Sequence, residues 1–193
     1  MGFGTLFIGY FLLLNVTYFA WTDLIAALVM ALGLYKLSGV NRYFKYALFS
    51  SLAHAVVGAV EFALEIVAML LPYSSIEVGF MSILRCAVLC ALTVSMLLGI
   101  YDVAREVDLP ALSIRAKRMV IPAVVIYVTN ILLDTPTLFT GIEPIYVALI
   151  FTILLIALFF LIIYNLITVY TAYMKICMPS DNAKNANKTK TRL

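Results

Sequence analysis

Apolar residues in this chain come in long blocks separated by short polar links. The blocks at 44–71, 79–102, 119–133 and 144–174 each predict a membrane-spanning helix, since about 20 apolar residues cross a hydrocarbon core of about 30 Å. Pro72 ends the first, and Asp134-Thr135-Pro136 ends the third. At 1.5 Å per residue the last block would be about 46 Å long, so it must tilt or protrude.

Residues 3–38 form one block with a flaw. As a single helix they would run about 54 Å, too long for one crossing. Trp21-Thr22-Asp23 offers a break. Thr22 or Asp23 can cap a new helix, and Trp21 suits a membrane interface. The pattern therefore predicts spans 3–20 and 23–38, joined by a tight outer turn. The fold class is an all-α integral membrane protein, a bundle of six transmembrane helices. The alternative is five spans plus an N-terminal re-entrant or interfacial segment. Residues 1–178 then form a single transmembrane domain. Residues 179–193, polar and rich in Asn and Lys, read as a disordered basic cytoplasmic tail. Met1 to Ala20 reads as a span rather than a signal peptide, because it lacks a basic leader and Tyr18 spoils the cleavage pattern.

Composition agrees. Of 193 residues, 65% are hydrophobic and 12% charged, against about half and about a quarter in soluble domains. Twelve of the thirteen basic residues lie in alternate links or in the tail. They are Lys36, Arg42 and Lys45; Arg105, Arg115, Lys117 and Arg118; then Lys175, Lys184, Lys188, Lys190 and Arg192. The opposite links hold Asp23, Glu77, Asp134 and Glu143, and no cation. The positive-inside rule makes the basic side cytoplasmic, with the C-terminus inside and the plasma membrane as the expected location. A net charge of +3 distributed this way does not suggest nucleic-acid binding.

The thirteenth cation, Arg85, falls inside a span, as do His54, Glu61 and Glu65. An ionisable side chain at that depth costs about 2.5–3.5 kcal/mol on insertion scales and usually faces the bundle interior or a wet cavity. At about 100° per residue, His54, Glu61 and Glu65 fall within about 40° of each other on one helix face. Gly58 lies beside them, and Ser51, Ala55, Ala59 and Ala63 form an adjoining small-residue stripe that permits close helix approach or a contact with another chain. In an antiparallel hairpin, Glu65 and Arg85 should sit at similar depth. Glu65–Arg85 is therefore the first expected ion pair and Glu61–Arg85 the second. Tyr127, Asn130 and Asp134 share a face at i, i+3 and i+7, and Asn15 reaches the same outer level. These groups predict a polar pocket open to the outside, fit for a small polar or cationic ligand. The plainer alternative is a buried pair that only fixes helix register.

Many functions lose support. One histidine excludes bis-histidine haem and a two-histidine zinc motif. Neither a phosphate loop nor a dinucleotide fingerprint is present, so no cofactor or metal is expected. Cys86, Cys90 and Cys177 give no disulfide framework and suit packing. The expected function is a small transport or ligand-binding membrane subunit. The alternative is an accessory or sensor subunit of a larger complex, with the link 102–118 as a cytoplasmic contact. An intramembrane enzyme ranks third, with no motif behind it.

Overall fold

A computed structural model describes residues 2–14, 20–70, 79–133 and 144–177, and these are helical apart from two short connections. Asn15, Asp134 and the tail 179–193 lie outside the described residues. The helices are α1 (Gly2–Leu14), α2 (Ala20–Leu37), α3 (Arg42–Leu70), α4 (Gly79–Glu106), α5 (Pro110–Leu133) and α6 (Pro144–Ala172), the last running into a π-helical turn at Tyr173–Cys177. Four stretches are long and apolar enough to cross a membrane: Arg42–Val67, Phe80–Glu106, Pro110–Leu133 and Ile145–Ile176. Helix α1 is also apolar but shorter, with 13 residues, or about 20 Å. The described residues thus form a helical structure, with four membrane-length helices and two others.

Each helix packs on the next, and α6 closes the bundle against α1 while also touching α4. The first two helices lie unusually close. A Cβ on Gly33 would sit 2.7 Å from the Leu6 backbone nitrogen and 2.9 Å from the Gly2 carbonyl oxygen. A Cβ on Gly9 would sit 2.8 Å from the Met30 nitrogen. Only glycine lets two helix backbones approach this closely. One end of the bundle holds the main core. There Phe3 meets Phe44 edge to face at 5.7 Å between ring centroids, among Met30, Leu34, Leu97 and Ile100.

The same end carries the described basic residues other than Arg85, and two capped connections. Asn41 caps α3, its Oδ1 accepting from the Tyr43 N–H at 2.9 Å. Its amide donates to Asp102 Oδ2 at 3.1 Å, which ties the start of α3 to the end of α4. Helix α4 ends in a left-handed residue, Asp108 at φ 54. The Leu109 N–H bonds to the Ala104 carbonyl at 2.8 Å and the Asp108 N–H to that of Arg105 at 3.3 Å, the pattern of a Schellman turn. Pro110 then opens α5, where its missing N–H costs nothing. The expected link 102–118 is accordingly replaced by a short turn between two helices. Helices α4 and α5 continue past their apolar stretches, because charged residues end a hydrophobic block without ending a helix.

The expected break at Trp21-Thr22-Asp23 falls inside a helix. Helix α2 begins at Ala20, so Asp23 lies in its first turn instead of starting a helix after an exposed link. Its carboxylate is buried in the bundle.

Candidate functional site

The site is built on α2, α3 and α4. Gly58 of α3 packs against Leu24 of α2, where an added Cβ would be 3.5 Å from the Leu24 nitrogen. That contact sets the register of the two helices. It brings Asp23 beside His54, with His54 Nε2 donating to Asp23 Oδ1 at 3.1 Å. The contact selects the imidazole tautomer with its proton on Nε2. Both side chains are buried, and His54 Nδ1 meets no hydrogen-bond partner among the described residues. One turn on, Ser51 Oγ donates to the Ala27 carbonyl at 2.8 Å and secures the same helix pair.

Arg85 of α4 completes the network. Its Nε lies 3.3 Å from Asp23 Oδ2, and its Nη1 lies 3.5 Å from Glu61 Oε2. Two carboxylates therefore flank one guanidinium, with the imidazole on the far side of Asp23. The Arg85 side chain is 39% exposed, against 1% for Asp23 and 11% for Glu61. Arg85 is thus the most exposed member of the network.

Glu65 does not take the place expected of it. Arg85 pairs with Asp23 and Glu61, while Glu65 is exposed one turn beyond them. From the Gly58–Leu24 contact, α2 reaches Ala20 at about the level of residue 62 of α3 in antiparallel register. Glu65 therefore has no described part of α2 beside it. The small-residue stripe divides for a related reason. Residues four apart drift about 40° around a helix with each step. Ser51 and Ala55 consequently face the bundle, whereas Ala59 and Ala63 are exposed. Asn130 is half-buried and donates to the Ile126 carbonyl of its own helix at 2.9 Å, so it stays outside the network.

A second polar element lies next to the first. The Tyr10, Thr93 and Tyr127 hydroxyls form a buried chain, 3.1 Å between Tyr10 and Thr93 and 3.4 Å between Thr93 and Tyr127. Both tyrosines, together with Arg85, line a cavity of about 120 Å³ between α1, α4, α5 and α6. Leu13, Leu89, Leu158 and Ile162 supply its apolar walls. The walls and Arg85 are only partly buried while the tyrosines are buried, so among the described residues the cavity is open on one side and closed at the hydroxyl chain.

Two expected outcomes follow from these contacts. Thr93→Val removes the middle hydroxyl and leaves two buried phenols unpaired. A loss of at least about 2 kcal/mol is expected in a denaturant titration, with Thr93→Ser close to wild type. Equal losses in both variants would show that the chain contributes nothing. Asn165 of α6 is fully buried, and its amide atoms meet no hydrogen-bond partner among the described residues. Asn165→Leu is therefore expected to raise stability by about 1 kcal/mol. A loss of that size would reveal a partner for the amide.

His54, Glu61 and Arg85 are legible in the sequence as members of the site, whereas Asp23, Tyr10 and Thr93 are not. Asp23 had a signal, an acid close to an apolar block, but its place beside a possible interface turned the reading towards a cap. Thr93 had none, since an isolated threonine in a span is ordinary. Among the described residues, no group of three or more His, Cys, Asp and Glu side chains is placed to hold a metal ion. Comparison with family models, curated proteins and solved structures finds no match.

Proposed function

We propose that the chain is a small transport or ligand-binding subunit of a membrane, with its site where the charge network meets the cavity. One observation carries this reading: Arg85 belongs to both. A pair that only fixed helix register would be served by full burial. Here the acids are buried and the Arg85 side chain borders an opening. In this proposal all six helices cross the bilayer, and the chain lies in the plasma membrane. The basic end of the bundle and the C-terminus face the cytoplasm, following the distribution of Lys and Arg.

The test is to extract the protein with its native lipids and compare bound small molecules by mass spectrometry. Wild type is expected to retain at least one compound that Leu158→Trp, which fills the cavity, does not. Identical profiles would remove the basis of the proposal.

A second reading, an accessory or sensor subunit docked to a larger complex, rests on the outer half of α3. There Ala59, Ala63 and Glu65 are exposed within an apolar face. Stoichiometric co-purification of a partner, lost on Ala59→Leu and kept in Leu158→Trp, would favour it.

A further inference from the structure

Resting on the reading of the cavity as a ligand site, we infer that its ligand is an uncharged molecule with a ring-sized apolar body and a carbonyl-type acceptor, the chemistry of a quinone head group or an aryl ketone.

Three features lead there. The first is size. A cavity of about 150 Å³ in an apolar core accommodates benzene. This one, at about 120 Å³ and open on one side, fits one ring whose substituents extend through the opening. The second is charge. Arg85 is already flanked by Asp23 and Glu61 at 3.3 and 3.5 Å. An anion at the guanidinium would stand beside two carboxylates in a medium of low dielectric, where like charges repel strongly. A cation entering the cavity would meet Arg85 itself, since no carboxylate is among the described residues that line the wall. The earlier expectation of a cationic ligand relied on acids facing the pocket. Those acids lie behind Arg85.

The third feature is the sense of the hydrogen bonds on offer. A guanidinium has five N–H donors and no acceptor, and two carboxylate contacts do not exhaust it. The hydroxyl chain has three hydrogens and two internal bonds. When the bonds run in one direction, the terminal tyrosine keeps a free O–H, and both terminal tyrosines line the cavity. Arg85 thus offers donors alone, and the hydroxyl chain can add one more in that arrangement. A ring with a carbonyl supplies the matching acceptor, and Leu89, Leu158 and Ile162 provide the apolar contact.

The test uses four probes of similar size: acetophenone, ethylbenzene, benzoate and benzylammonium. Binding to the full chain in lipid nanodiscs is measured by equilibrium dialysis. Partition into lipid is removed by subtracting the signal of Leu158→Trp, or of Ile162→Phe should the first variant fail to fold. Acetophenone is expected to show a saturable component about fivefold tighter than that of ethylbenzene, the worth of about one hydrogen bond, with no saturable component for either ion. Equal binding of ethylbenzene overturns the acceptor requirement. Binding of benzoate or benzylammonium at least as tight as acetophenone overturns the ligand class and leaves the cavity as a ligand site. Absence of any variant-sensitive component for all four probes overturns both.

Discussion

Arg85→Met is expected to destabilise the folded protein by about 3 kcal/mol, towards the lower end of the range for breaking a buried ion pair. The cost arises less from the lost attraction than from what remains. Asp23, at 1% exposure, would be left with only the imidazole N–H of His54 beside it. The partial exposure of Arg85 keeps the expected loss at that lower end. Adding Asp23→Asn should recover part of the stability by neutralising the stranded group. Reversible unfolding in mixed micelles provides the measurement. A loss below about 1 kcal/mol, typical of a surface pair, would mean that water reaches Asp23 and the network is not closed.

Gly33→Val should cost about 3 kcal/mol, the upper part of the usual range for overpacking. The atoms in the way are the Leu6 nitrogen at 2.7 Å and the Gly2 carbonyl oxygen at 2.9 Å. Backbone cannot rotate aside as a side chain can, so α1 must move off α2. Tyr10 moves with it, and one wall of the cavity is lost. Two controls separate this effect from glycine substitution in general. Gly39, where an added Cβ meets nothing within 4 Å, should accept alanine within about 0.5 kcal/mol. Gly58, whose added Cβ would make ordinary contact with Leu24, should behave similarly. Comparable losses at all three positions would remove the close α1–α2 approach from the account.

The helices were legible because hydrophobic blocks of this length have few alternatives, and four of the expected spans match membrane-length helices. Their ends were less legible. Hydropathy marks where apolar residues stop, whereas helices stop at caps such as Asn41 and the turn at Asp108. The site was legible to the extent that it rests on charges at unfavourable depth, which exposed His54, Glu61 and Arg85. Helical angles then grouped Glu65 with them, because angle alone does not tell where a neighbouring helix ends. Asp23 lay in the opposite error. Its position near Trp21 placed it in an outer turn, whereas α2 begins three residues earlier and carries it inward. Of the cavity, Arg85 and Tyr127 were legible as pocket residues, but the hydroxyl chain was not, since Tyr10, Thr93 and Tyr127 come from three helices and meet only when α1, α4 and α5 pack together.

The central claim is that the intramembrane charges form one network in which Arg85 serves Asp23 and Glu61. Two double-mutant cycles test it most directly, one with Asp23→Asn and Arg85→Met, the other with Glu65→Gln and Arg85→Met. The first pair should show a coupling of about 2 kcal/mol, within the range for contacting groups, and the second should be additive within about 0.5 kcal/mol. Additivity between Asp23 and Arg85, with coupling between Glu65 and Arg85, would contradict the account.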